Sequence, residues 1–343
     1  MATIGILTGG GDCPGMNAVV RAVVRKGVER HGQRILGFLN GYAGLLDGSV
    51  VDLDVESTRG ILHRGGTMLG TSRADPLGGD GGAETVKETM TANGVDGLIV
   101  VGGDGTLAAA AKLMAEGINV TGVPKTIDND IAATDYTFGF DTAVQIASDA
   151  IDRLHTTAES HNRVMILEVM GLSTGWIALY AGLAGGADVI LIPERPFDID
   201  EVCGHIRQRH ARGRLFSVVV VAEGAQPQAD TVELPEYELD ELGRPKLGGI
   251  SGVVAREIGR RTGFDARVTI LGYVQRGGTP TATDRILATR FGIGAIDLAA
   301  EGRWGRMVAL RGDRIEDVAL DEAVRDVKRV PPDLYEVAEV FFG

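Results

Sequence analysis

Apolar residues along this chain come in short unbroken blocks, and each block ends in glycines or in a knot of polar side chains. "TIGIL" (3–7) is the first such block, a predicted strand. Beyond "TGGGDCPG", the stretch "MNAVVRAVVRKGVER" repeats apolar residues at helical spacing with arginines on the opposite face, which predicts an amphipathic helix. "RILGF" (34–38) predicts a second strand, followed by a glycine-rich stretch up to "RGGTMLGTSR" (64–73). The pattern then repeats in "VDGLIVVGGDGTLAAAAKLMAEG" (95–117): buried strand, glycine turn, alanine-rich helix. "INVTGV" leads from there into "PKTIDND" (124–130), and a helix is predicted over 142–159. "RVMILEV" (163–169), "DVILIPE" (188–194) and "FSVVVVAEG" (216–224) read as further strands. The stretch 226–246, rich in Pro, Asp and Glu, reads as an exposed excursion. "RVTILGYVQRGG" (267–278) is a strand entering another glycine turn, with a helix behind it through Ala300.

Blocks that are apolar throughout, alternating with helices, predict parallel sheets covered on both faces. Ligands of such sheets sit beyond the carboxyl ends of the strands. "TGGGDCPG", "GGDGT" (102–106) and "PKTIDND" all fall at predicted carboxyl ends, so three separate runs point at one crevice. The expected fold class is α/β: two three-layer lobes with mainly parallel sheets. One lobe comprises residues 1–140 with about 276–325, the other 141–275 with the C-terminal tail.

Composition narrows the function classes. With 47 acidic against 34 basic residues the net charge is −13, which opposes a nucleic-acid or anionic-membrane partner. Two cysteines, Cys13 and Cys203, make no disulfide framework and suit a reducing compartment. The start "MATIGILTGGG" has neither a basic region nor an apolar core of signal-peptide length, so a soluble cytoplasmic protein is expected. The six histidines show no metal-ligand spacing, and Cys13 has no evident base beside it.

The motifs carry more. "TGGGDCPG" matches neither the dinucleotide fingerprint nor a P-loop, and on its own reads equally as a tight turn or as a phosphate cradle. In "GGDGT", Asp104 either caps the helix behind it or holds a cation between itself and bound phosphates, Mg²⁺ being the usual mediator. Arg73, Arg163, Arg267 and Arg276 each lie beside a strand end or glycine turn, which in an acidic chain suits phosphorylated ligands held bidentately.

Taken together, "LTGGGDCPGMNA", "RGGTMLGTSR", "GGDGT", "PKTIDND", "SHNR", "EVMG", "AEG" and "LGYVQRGG" resemble the 6-phosphofructokinases, in order and across nearly the whole chain. Lipid and NAD kinases share only the "GGDGT" element. The resemblance implies an active site in the cleft between a donor-binding lobe and a fructose-6-phosphate-binding lobe. It also implies a homotetramer, and Mg²⁺-assisted phosphoryl transfer to the 1-hydroxyl of fructose 6-phosphate. Asp128 looks like the general base, with Thr126, Arg73 and Lys125 completing the catalytic set. Gly11, Arg73, Gly103, Asp104, Gly105 and Thr106 correspond to donor contacts, and Asp104 with Asp130 to the metal carboxylates. Thr126, Ile127, Asp128, Met170, Gly171, Leu172, Glu223, Tyr273 and Arg276 correspond to sugar-phosphate contacts, with Arg163 and Arg267 reaching a neighbouring subunit's site. Asn129 is expected to orient the turn.

Two residues depart from the family pattern: Leu172 stands where arginine is usual, and Tyr273 where histidine is usual. The basic effector set is only partly matched, with Arg21, Arg25, Arg212 and Arg214 present but Val55 and His155 in place of arginines. The donor signature is mixed as well. ATP users usually pair glycine at 105 with glycine at 125, and pyrophosphate users pair aspartate with lysine; here Gly105 accompanies Lys125. An open position 105 admits a nucleotide, so ATP is the expected donor and pyrophosphate the alternative. A sugar-phosphate-binding regulator without catalysis is the remaining reading, suggested by Leu172.

Overall fold

The computed structural model describes residues 1–78, 81–229, 231–232 and 249–343. The first half of the chain runs β1 (Thr3–Thr8), α1 (Met16–His31), β2 (Arg34–Phe38), α2 (Tyr42–Asp47), β3 (Val50–Leu53), α3 (Gly82–Asn93), β4 (Gly97–Gly102) and α4 (Asp104–Ala115). It continues through β5 (Val120–Thr126), β6 (Phe138–Gly139), α5 (Phe140–His161), β7 (Val164–Val169) and α6 (Trp176–Ala184). Then follow β8 (Val189–Leu191), α7 (Ile199–Ala211), β9 (Ser217–Ala222), α8 (Ile250–Thr262) and β10 (Ala266–Ile270). The chain closes with α9 (Ala282–Ala300), β11 (Arg306–Arg311), β12 (Arg314–Ala319), α10 (Leu320–Ala323) and α11 (Pro332–Glu339).

Two compact units form, Met1–Thr142 with Arg276–Lys328, and Ala143–Gln275 with Arg329–Gly343. The first is built on a sheet ordered β12-β11-β5-β4-β1-β2-β3, with β6 added beside β5. Its central pairings are parallel, and only the outer strands β3 and β12 run antiparallel to their neighbours. β1, β4 and β5 are buried along nearly their whole length, as strands covered on both faces must be. Leu36, Leu98 and Val100 pack with Leu45, Val86 and Leu107 of α2, α3 and α4. On the other face, a Cβ at Gly27 of α1 would stand 2.9 Å from Ile35 of β2 and 3.3 Å from Ile296 of α9. That close approach makes this unit a three-layer sandwich.

The second unit repeats the plan with a four-stranded parallel sheet, β10-β7-β9-β8. Ile166, Val219 and Val221 face Val202, Ile206, Val254 and Ile258 of α7 and α8. On the opposite face, Gly182 of α6 lies against Ile190, and Gly185 against Ile151 of α5. The fold class is thus α/β with mainly parallel sheets.

Two details differ from expectation. Within the glycine-rich stretch, α2 and β3 form; α2 is six residues long between Gly41 and Gly48, too short for a hydrophobic period to show. β10 is not covered: among the described strands it is the edge, paired with β7, and Val268 and Ile270 stay exposed. Much of the 226–246 excursion, residues 230 and 233–246, lies outside the described residues. No helix among the described residues is long and apolar enough to cross a membrane.

Candidate active site

The register of the first sheet brings three turns side by side. Thr8 at the end of β1 pairs with Val101 of β4, and Gly102 pairs with Pro124 of β5. The segments following these strands therefore leave the sheet as neighbours: Gly9–Cys13, Gly103–Thr106 and Thr126–Asp130.

Glycine is required in the first turn for contact as much as for conformation. Gly10 has φ +76°, while a Cβ at Gly9 would stand 2.7 Å from Thr106 Cγ2 and one at Gly11 2.7 Å from Arg276 Nη1. Gly9 N–H donates to the Val101 carbonyl and Gly10 N–H to that of Ser72, so the part of the turn from Gly11 onward is what can face an anion. In the second turn, α4 begins at Asp104, and its N-cap is Gly103 without a side-chain cap bond. Asp104 is therefore a first-turn carboxylate and not the helix cap. It lies exposed where the helix dipole favours negative charge, with exposed Gly105 next to it and open space around that Cα.

The third turn holds the titratable groups. Lys125 ends buried, with its ammonium donating to the Gly11 carbonyl at 2.5 Å, and burial pulls its pKa below the ordinary lysine value. Asp128 N–H donates to Thr126 Oγ1 at 3.0 Å, a local turn that points the two side chains the same way. Burial raises the Asp128 carboxyl, Arg276 and Lys125 draw it down, and Asp104 raises it further. Asp130 is pushed up to about 7 by burial and by the charges of Asp128 and Asp104. Its Oδ1 is buried without a hydrogen-bond partner. Asn129, at φ +52°, is buried and accepts Thr137 N–H on its Oδ1 at 3.1 Å. Ile127 is fully buried beneath the turn, while Arg73 extends into solvent. Arg276, expected at the sugar phosphate, lies against the first turn, its Nη1 3.4 Å from the Asp12 carbonyl. The Cys13 thiol is buried and pushed up to about 12, which leaves it inert at neutral pH.

The second unit gathers a set of its own. Gln275 Oε1 accepts Met170 N–H at 2.7 Å, and Glu223 Oε1 accepts Gly171 N–H at 3.3 Å. Gly171 has φ +144°, and the turn is so tight that a Cβ at Gly224 would lie 1.9 Å from the Leu172 carbonyl. Leu172 and Tyr273 are 47% and 80% exposed, respectively. Arg163 and Arg267 converge on one carboxylate, Asp265, at 2.7 and 3.0 Å.

A carboxylate trio held at the ends of parallel strands, next to two cations and a glycine turn, is what transfer of a phosphoryl group needs: positioning and charge neutralisation. A family model described as Phosphofructokinase matches residues 3–299. The chain belongs to the phosphofructokinase family. It is 56% identical over 340 residues to a pyrophosphate–fructose 6-phosphate 1-phosphotransferase of Amycolatopsis methanolica, covering 99% of each chain. It is also 54% identical over 342 residues to an ATP-dependent 6-phosphofructokinase of Mycobacterium bovis, again 99% of each. Among solved structures, phosphofructokinase from Pichia pastoris matches with a TM-score of 0.83 at 36% identity, over 99% of this chain and 38% of that one.

Kinship of this strength makes the chain a phosphofructokinase-type transferase. The relatives' names divide on the donor, so kinship leaves ATP and pyrophosphate both open. Two residues absent from the expected phosphofructokinase set also enter the geometry. Asp284, at the start of α9, accepts the N–H groups of Gly139 and Thr142 and the Thr142 hydroxyl, anchoring the chain that leaves the Asp128 turn. Lys328 reaches Asn129. A single acidic or basic residue in an otherwise ordinary segment carries no local signal that could have announced either role.

Proposed function

We propose that the chain transfers the γ-phosphoryl group of ATP to the 1-hydroxyl of fructose 6-phosphate, giving fructose 1,6-bisphosphate. Asp128 takes the hydroxyl proton as the oxygen attacks phosphorus, and ADP departs from the opposite side. The observation carrying this reading is the position of Asp128: a recessed carboxylate of raised pKa, flanked by Thr126 and under the fields of Lys125 and Arg276. A raised pKa makes a carboxylate a stronger base.

The donor half of the site uses Gly11, Arg73, Gly103, Asp104, Gly105 and Thr106. The open space around Gly105 supports ATP, since it leaves room beside the first turn of α4 for a nucleotide. The acceptor half uses Met170, Gly171, Leu172, Glu223 and Tyr273. Arg163 and Arg267 complete the sugar-phosphate site of a second copy in a homotetramer, which accounts for two arginines sharing a single aspartate on an exposed edge.

The residues present suit Mg²⁺. Asp130 has a buried oxygen without a partner, and the charges of Asp128 and Asp104 raise its proton affinity, which a cation would relieve. Among the described residues no cluster of three metal-binding side chains forms. Mg²⁺ keeps waters and binds through one or two carboxylates and phosphate oxygens. Asp104 and Asp130 would hold it, and when bound it neutralises charge on the donor phosphates.

Pyrophosphate is the second reading, supported by the buried Lys125 cation at the place where a phosphate leaving group would gain from it. A coupled assay with fructose 6-phosphate and each donor in turn decides between them. ATP turnover exceeding pyrophosphate turnover is expected. Turnover with pyrophosphate alone overturns the ATP reading, and turnover with neither overturns both.

A further inference from the structure

Past residue 299, where the family match ends, one lysine returns to the Asp128 turn. Lys328 directs its ammonium at three oxygens: Asn129 Oδ1 at 2.9 Å, the Thr134 carbonyl at 3.0 Å and the Asp135 carbonyl at 2.8 Å. Its backbone N–H donates to the Asp130 carbonyl at 2.8 Å, and the neighbouring Val327 bridges to Ile131. The same ammonium lies 5.9 Å from the centroid of the Tyr136 ring. Every one of these partners belongs to the segment that follows the catalytic strand.

Asn129 needs such support. It sits between Asp128 and Asp130 in the left-handed region, at φ +52°, and is 1% exposed. Asparagine enters that region more readily than other non-glycine residues, as Asn40 and Asn162 also do, but a buried one there still needs partners for its polar side chain. Two donors serve here, Thr137 N–H and the Lys328 ammonium, both on Asn129 Oδ1. A tetrahedral ammonium suits oxygens arriving from several directions, as a planar guanidinium does not.

We propose that Lys328 is a positioning residue, which locks Asn129 in its left-handed conformation and thereby aims the Asp128 carboxylate at the acceptor hydroxyl. The plainer role, anchoring the C-terminal segment, would be served better by an apolar side chain. A half-buried ammonium is costly to desolvate, and burial brings its pKa down to about 8. The proposal rests on Asp128 being the base.

Its test is steady-state kinetics of full-length Lys328→Met, Lys328→Arg and Asp128→Asn with fructose 6-phosphate and whichever donor the wild type uses, each variant checked by thermal unfolding. Lys328→Met is expected to lower kcat about 10- to 100-fold while both KM values stay within about twofold, since misplacing a catalytic group by about 1 Å has that cost. Lys328→Arg, which keeps the charge but not the convergent donors, should still lose about fivefold or more in kcat. Combining Lys328→Met with Asn129→Ala should be no worse than Asn129→Ala alone, because both act through one contact. A folded Lys328→Met with wild-type kcat, or with its loss wholly in KM, overturns the proposal. Should that variant not fold, Lys328→Arg decides: reduced kcat supports the role and wild-type kcat overturns it. Asp128→Asn separates the two ideas. If it is inactive beside an unimpaired Lys328 variant, only the positioning role fails; if it keeps its kcat, the base assignment fails and the positioning role with it.

Discussion

The ammonium of Lys125 lies 2.5 Å from the carbonyl oxygen of Gly11, tying the end of β5 to the glycine turn that follows β1. One hydrogen bond thus links two of the three segments that emerge at the carboxyl edge of the sheet. It places the Lys125 side chain against the glycine turn that follows β1.

The donor prediction follows from that bond and from the space beside it. An aspartate in place of Gly105 would put a carboxylate near a nucleotide phosphate, and like charges about 4 Å apart repel by about 1 kcal/mol in water and several more near protein. Gly105→Asp is therefore expected to abolish turnover with ATP. Lys125→Gly should harm any pyrophosphate activity far more than ATP activity, measured as kcat/KM for each donor. Equal losses for the two donors would remove Lys125 from the specificity argument.

Asp128→Asn should keep fructose 6-phosphate binding near normal and lower kcat by about 10²- to 10⁴-fold, the usual contribution of a general base. Titration calorimetry and initial rates on the same preparation check both halves. Near-normal turnover would exclude Asp128 as the base.

Leu172 stands about half in solvent, so its replacement removes little core packing. Leu172→Arg would add a charge-assisted contact to a phosphoryl group, worth about 1.5–3 kcal/mol. A rise in kcat of about tenfold or more is expected. An unchanged kcat in a folded variant would mean that another cation already fills the place.

Asp284 gives a pH prediction. Burial raises its carboxyl to about 6, and the hydrogen bonds from Thr142 and Gly139 hold it from going higher. The folded state thus binds this proton more tightly than the unfolded chain does. Its ionisation costs stability above about pH 6, and the cost is relieved as pH falls toward about 4. The wild type should lose up to about 3 kcal/mol relative to Asp284→Asn as pH rises from about 4 to about 6. Denaturant unfolding of both proteins across that window checks it, and parallel curves would contradict it.

Much of the fold was legible from local pattern. β1, β4, β5, β7 and β9 are apolar almost throughout because both faces are covered, and their glycine-rich ends announced the turns. Asp104 was singled out the same way, at a strand end, whereas Thr126 and Asp128 took their proposed roles from the family resemblance. α2, β3 and the exposed face of β10 were not legible. The first two are too short for a period, and the third depends on β10 being the edge among the described strands.

By itself, then, the sequence determined the strand–turn–helix order, the fold class and the glycine-rich and polar turns at the strand ends, because these follow from spacings of one to four residues. Only the tertiary structure decided what holds the Asp128 turn in place. Lys328 meets Asn129 across 199 residues and Asp284 meets Gly139 across 145. Contacts at such separations are set by how the strands stack and register, and no local period records them.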